Sequence, residues 1–184
     1  DQGYKPIMTD ADSNESQLLP HSGFVVVCGK PNVGKSTLMN RILGEKIAIV
    51  SPKPQTTRLR QLGIYTREGV QVIFVDTPGI HQPRNELDEF MVQVAATAMR
   101  DAEVILFVAD LTTAPDDEDQ RVAELIRHAR GGAESNRVPV VLALNKLDRV
   151  SAENVLPHSE AYRGLVPDAE WTAISASKGD GVEV

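Results

Sequence analysis

Gly29-Lys30-Pro31-Asn32-Val33-Gly34-Lys35-Ser36 lies directly after the apolar run Phe24-Val25-Val26-Val27-Cys28 and directly before Thr37-Leu38-Met39-Asn40-Arg41-Ile42-Leu43. The order is strand, glycine-rich loop, helix, which is the context of a phosphate-binding P-loop. Gly29 and Gly34 allow backbone conformations that a Cβ would penalise. Gly29, Lys30, Pro31, Asn32, Val33 and Gly34 can then wrap a di- or triphosphate with their backbone, at the positive end of a helix dipole. Lys35 is placed to reach the β and γ phosphates, Ser36 to offer a hydroxyl to Mg²⁺, and Thr37 to close the loop at the start of the helix.

Working outward, the chain alternates strands and helices. The patterning predicts a strand at 24–28, a helix to about 43, a β-hairpin from Gln61–Thr66 and Val70–Asp76, and an amphipathic helix over about 86–101. Val104–Ala109 and Val138–Leu144 read as strands buried on both faces. A helix carrying Val122, Leu125, Ile126 and Ala129 ends at Gly131-Gly132, residues 151–163 read as a helix interrupted by Pro157, and Trp171–Ser175 reads as a short last strand. This is an α/β fold: a mostly parallel six-stranded sheet with one antiparallel strand and helices on both faces. Ligands in such folds bind at the carboxyl ends of the strands.

Further runs fall at those ends. Asp76-Thr77-Pro78-Gly79 follows the second hairpin strand. An Asp there can hold Mg²⁺, and the Gly79 N–H can sense a γ-phosphate. Asn145-Lys146-Leu147-Asp148 follows a buried strand. The Asp148 carboxylate can accept two hydrogen bonds from the ring N–H and the amine of guanine, a donor pair that adenine lacks. Asn145 can brace the loop, and Lys146 can lie along the base. Ser175-Ala176-Ser177 can present backbone N–H groups to the guanine carbonyl. Between the first helix and the hairpin, Thr56 or Thr57 can complete the Mg²⁺ shell, with Thr57 taken for the site. The catalytic set expected from these runs is Lys35, Thr57 and Gly79; the metal set is Ser36, Thr57 and Asp76. Arg58 reads more simply as a surface arginine than as an arginine finger acting in cis.

The chain has 184 residues, 41% hydrophobic and 24% charged, which fits one packed soluble domain. A net charge of −7 argues against a strong unspecific nucleic-acid or anionic-membrane binder. The single cysteine, Cys28, excludes an internal disulfide and a Cys-rich metal site, and reads as a buried hydrophobe. No apolar run reaches transmembrane length and no secretory signal is visible, so the cytoplasm is the expected location. Residues 1–22 read as a disordered leader and 23–184 as one domain. The run Gly181-Val182-Glu183-Val184 reads as the first turn of a helix that continues in a longer protein.

Taken together, G-K-P-N-V-G-K-S-T-L-M-N, K-I-A-I-V-S-P-K-P-Q-T-T-R, D-T-P-G-I-H, N-K-L-D and S-A-S make the chain from residue 23 to 184 resemble the TrmE–Era branch of GTPases, and within it the Era family. The resemblance implies a Ras-like G domain that binds GTP and GDP and hydrolyses GTP with Mg²⁺. It also implies a C-terminal KH-type RNA-binding domain, action on the small ribosomal subunit and its 16S rRNA, and peripheral association with the inner face of the cell membrane. No KH-type G-x-x-G clamp occurs in these residues, so RNA binding is carried by the resemblance alone. A monomer is expected. Ile80 stands where Ras-like enzymes carry a water-orienting glutamine. Asn32 matches the asparagine that helps relatives bind K⁺, so the resemblance adds Asn32 to the catalytic set, makes K⁺ a second expected cofactor and makes K⁺-stimulated hydrolysis a hypothesis. His81 reads as an exposed switch residue rather than as a group that orients the water. Two other classes remain in view: a nucleotide-gated assembly module with negligible intrinsic hydrolysis, and a P-loop ATPase, against which Asp148 argues.

Overall fold

The computed structural model describes residues 21–44, 61–67, 69–77, 79–80, 86–131 and 137–182. In chain order the elements are β1 (His21–Cys28), α1 (Lys35–Leu43), β2 (Gln61–Arg67), β3 (Val70–Asp76), α2 (Glu86–Arg100), β4 (Val104–Asp110), α3 (Asp117–Arg130), β5 (Val140–Asn145), a 3₁₀ turn (Leu147–Arg149), α4 (Ala152–Leu165) and β6 (Glu170–Ala173). The six strands form one sheet in the order β2-β3-β1-β4-β5-β6. Only the β2–β3 pair is antiparallel. β1 starts at His21, within the expected leader; residues 1–20 and 183–184 lie outside the described residues.

The sheet is covered on both faces, which is why its central strands are apolar runs rather than alternating ones. Successive residues still divide between two cores, because side chains alternate across a strand. Val26, Cys28, Ile105, Phe107, Leu142 and Leu144 face one side and cluster with Met99 of α2, Val122 and Ile126 of α3 and Tyr162 of α4. Val27, Leu106, Val108 and Ala143 face the other and cluster with Leu38, Met39 and Leu43 of α1. Burial pushes the Cys28 thiol up to about 12, which makes it an inert core side chain.

Two expectations need correction. Pro157 does not interrupt its helix: α4 runs unbroken from Ala152 to Leu165. Proline removes one N–H, whose partner would be the carbonyl of Glu153. Both residues are exposed, so water can take that carbonyl, and the burial of Tyr162 one turn on holds the helix in place. The last strand ends at Ala173 rather than Ser175. The Ile174 N–H still donates to Leu144 O (2.8 Å), but the Ser175 N–H turns to Asp180 O (2.9 Å), which releases Ser175 into the loop. Among the described residues, no helix is long and apolar enough to cross a membrane.

Candidate functional site

β1 lies where the strand order reverses, between β3 and β4, and the glycine-rich loop leaves its carboxyl end there. The other motifs leave the carboxyl ends of β3, β5 and β6 along the same edge. Two glycines are obligatory in the loop for different reasons. Gly29 has φ 146°, and a Cβ there would lie 2.2 Å from Val108 O; Gly34 has φ 99°, and a Cβ would lie 2.3 Å from Asn145 Nδ2. Asn32 is left-handed as well, at φ 63°, a conformation asparagine tolerates better than most residues. Pro31, Asn32, Ser36 and Thr37 are exposed, while Val33 and Lys35 are buried.

α1 begins at Lys35 without a side-chain cap, so the N–H groups of its first turn stay available to an anion. The Lys35 ammonium donates to Gly29 O (3.1 Å) and Lys30 O (2.9 Å). Burial holds its pKa below the ordinary lysine value, against the opposing charge of Asp76. Asp76, at the end of β3, is raised by burial, with the Lys35 charge and the Thr77 N–H working the other way. Its Oδ1 is buried without a hydrogen-bond partner among the described residues. An orphaned carboxylate oxygen suits a hard divalent cation such as Mg²⁺.

The segment after β3 is laced to the loop. Both the N–H (3.2 Å) and the Oγ1 (2.8 Å) of Thr77 donate to Val27 O, and the Ile80 N–H donates to Gly29 O (3.1 Å). Gly79 packs so closely that a Cβ would lie 2.9 Å from the nitrogen of Pro31. Ile80 is only 3% exposed and belongs to the same cluster as Ala95 and Met99 of α2. Its side chain is part of the core. Pro78, Thr56, Thr57, Arg58 and His81 lie outside the described residues.

Asn145 joins three loops. Buried at 3% exposure, it donates from Nδ2 to Val33 O (2.8 Å) and accepts at Oδ1 from the Ala176 N–H (2.9 Å). Asp148 accepts from Ser175 Oγ (2.6 Å) and, more loosely, from Ser177 Oγ (3.4 Å). The Ser175 hydrogen bond leads the effects that hold its carboxyl below the usual range, so the group stays ionised. Lys146 is left-handed at φ 70° and its ammonium pairs with Asp110 at the end of β4.

Sequence reasoning missed Arg41. Its Nε donates to Ala176 O (3.1 Å) and its Nη2 to Ser177 O (2.6 Å), pinning the last loop from α1. An open cleft of about 500 Å³ lies between α1 and that loop, lined by Thr37, Asn40, Arg41, Gly44, Ala176 and Ser177. It missed Asp110, Asp116, Asp119 and Tyr162 too. Asp116 and Asp119 carry a D-x-x-D capping signal at the start of α3, but nothing in the sequence marks what else they hold.

The chain is similar to known GTPases. The GTPase Era of Geotalea daltonii is 46% identical over 160 residues, covering 87% of this chain and 52% of that protein. The GTPase Era of Lactobacillus delbrueckii is 43% identical over 162 residues, covering 88% and 51%. The chain thus spans about half the length of the curated relatives it matches. A crystal structure of Era in complex with MgGDPNP and nucleotides 1506–1542 of 16S ribosomal RNA superposes with a TM-score of 0.69 at 38% identity, covering 88% of this chain and 53% of that one. A single-substitution variant of Aquifex aeolicus Era bound to GDP·AlF4⁻ gives 0.68 at 39%, covering 88% and 54%. The G domain of the T. maritima FeoB transporter, at 22% identity and a TM-score of 0.58, shares the fold. The family described as 50S ribosome-binding GTPase matches residues 24–146, and the chain belongs to it.

Proposed function

We propose that this chain is the guanine-nucleotide switch of an Era-type protein, binding GTP and GDP and hydrolysing GTP to GDP and phosphate. The observation that carries the reading is Asn145. One buried amide ties the glycine-rich loop, the N-K-L-D loop and the S-A-S loop together, so a phosphate cradle and a guanine-selective carboxylate form one site. Gly29 to Thr37 take the phosphates. Asp76, Thr77, Pro78 and Gly79 answer to the γ-phosphate, and Asn145, Lys146, Asp148, Ser175, Ala176 and Ser177 hold the base.

Within that site the Lys35 ammonium exchanges the carbonyls of Gly29 and Lys30 for phosphate oxygens, and the loop and α1 N–H groups collect the negative charge that builds on them. Ser36, Asp76 and Thr57 are the residues that would hold Mg²⁺, which neutralises phosphate charge when bound. Asn32 would hold K⁺ beside the phosphates. With Ile80 buried, no side chain at that position orients the attacking water, so the task falls to backbone groups or to that cation.

The wider role belongs to the same proposal. It comprises action in small-subunit assembly on 16S rRNA through a KH-type domain following this one, in the cytoplasm as a monomer, with peripheral contact at the inner face of the cell membrane. The family's description names the large subunit; we favour the small one because the Era complex carries 16S rRNA. Single-turnover hydrolysis of GTP, in K⁺ and in Na⁺, with and without small subunits, tests the reading. Equal rates in the two salts would remove K⁺ from it. ATP displacing labelled GDP as well as GTP does would overturn it. The burial of Ile80 also supports a second reading, a binding-state module that hydrolyses only with a partner; activity confined to the arm containing subunits would select it.

A further inference from the structure

The Lys30 side chain reaches from the phosphate loop to α3. Its ammonium sits between Asp116 Oδ2 and Asp119 Oδ2, 2.7 Å from each, at the start of α3. A capping box alone accounts for Asp116, whose Oδ1 accepts from the N–H groups of Glu118 (3.0 Å) and Asp119 (3.1 Å). It accounts for only one contact of Asp119, the Asp116 N–H on its Oδ2, and Asp119 is fully buried. Three donors converge on Asp119 Oδ2: Lys30 Nζ, the Asp116 N–H (3.2 Å) and Tyr162 Oη (3.1 Å). Oδ1 has no partner among the described residues. A buried carboxylate with one bare oxygen is costly unless the charge is needed. Burial raises both Asp119 and Tyr162, so the phenol keeps its proton and has one hydrogen to donate. The hydroxyl lies 3.1 Å from Asp110 O as well, so the single hydrogen is shared between a carboxylate and the end of β4.

Asp110 also pairs with Lys146, and the Lys30 carbonyl is one of the two on which Lys35 rests. A continuous set of contacts therefore runs from the phosphate loop through Lys30, Asp119 and Tyr162 to the strand end that supports the N-K-L-D loop. We propose that Lys30 is a positioning residue: anchored through Asp119 and Tyr162 on β4, it fixes the first half of the phosphate loop and so sets its grip on the β-phosphate. This rests on the guanine-nucleotide reading above.

The test is titration of GDP and GMP, which differ by the β-phosphate, into the wild-type chain and the Lys30→Met, Lys30→Arg, Tyr162→Phe and Lys30→Met/Tyr162→Phe variants, each checked for fold by thermal unfolding. Lys30→Met should weaken GDP about 10-fold and GMP less than about 2-fold, and Lys30→Arg, whose fork can also span two carboxylates, should restore most of the loss. Tyr162→Phe keeps the packed ring and should weaken GDP about 3- to 5-fold, with the double variant no more than about 2-fold worse than Lys30→Met, because a chain already cut gains nothing from a second cut. Equal losses for GDP and GMP, effects that multiply in the double variant, or wild-type affinity in Tyr162→Phe would overturn the anchor. If Lys30→Met does not fold, Tyr162→Phe decides by its GDP-to-GMP ratio. A wild-type chain that binds no GDP would sink the guanine-nucleotide reading itself, and the anchor with it.

Discussion

Replacing Asn145 by alanine removes a side chain that bridges three loops. The loss can be sized from its two contacts. Val33 O and the Ala176 N–H belong to residues that are each 1% exposed, so water does not replace Asn145 freely. Each polar group orphaned in that way costs about 1–3 kcal/mol, giving about 2–6 kcal/mol for the pair. Some water entering the vacated space would place the result near the lower half of that range, about 3 kcal/mol. For a domain of this size such a loss lowers the melting temperature by about 6–12 °C. Thermal unfolding of the ligand-free variant measures it, and GDP titration should show weaker binding alongside. Asn145→Asp sharpens the comparison. Aspartate still accepts from the Ala176 N–H but sets an oxygen against Val33 O, so it should be no more stable than alanine. A melting temperature within about 2 °C of wild type for Asn145→Ala would refute the view that this amide holds the loops together.

Asp148→Asn replaces an acceptor pair by a donor and an acceptor, and should shift preference from guanine toward xanthine nucleotides, read by competition against labelled GDP. In Gly79→Ala the new methyl would meet the Pro31 backbone at 2.9 Å, so single-turnover GTP hydrolysis should fall at least about 10-fold while GDP affinity holds within about 3-fold. Asp110 gives a pH signature. Burial would raise its carboxyl, but hydrogen bonds from Lys146 and Thr112 outweigh that and hold it below the ordinary value. A depressed folded value stabilises above the unfolded pKa of about 3.9, and the contribution drains as pH falls through the lower folded value. Asp110→Asn should therefore be less stable than wild type at neutral pH, with the gap closing as pH falls below the unfolded value of about 3.9 in denaturant titrations.

The parts of this site that sequence reveals are those where backbone shape demands a particular residue or where a strand end delivers a short polar run. Gly29 and Gly34 are such cases, since no other residue fits beside Val108 O and Asn145 Nδ2. Asp76 and Asn145 are others, because apolar strands announce where they stop. Side chains that act across the fold leave no such mark. Lys30 meets partners 86 and 89 residues away, and Arg41 reaches 135 and 136 residues along the chain. Their residue types are as common on surfaces as in sites. Ile80 reveals by its type that it has no polar group, but not that it is sunk beneath α2. Pro157 misled because the helix rule is local, whereas the packing of Tyr162 is not.

The burial of Ile80 also bears on how a nucleotide can move this protein. Withdrawing such a side chain from the core costs about 1.5–3 kcal/mol. A bound molecule can shift a conformational equilibrium only by its difference in affinity for the two states. Any ligand that swings the segment after β3 far enough to free Ile80 must therefore prefer the displaced state by about 10- to 150-fold merely to reach parity. The isoleucine thus acts as a detent: weakly discriminating ligands leave the segment seated, and the threshold is set by the hydrophobic core rather than by the phosphates.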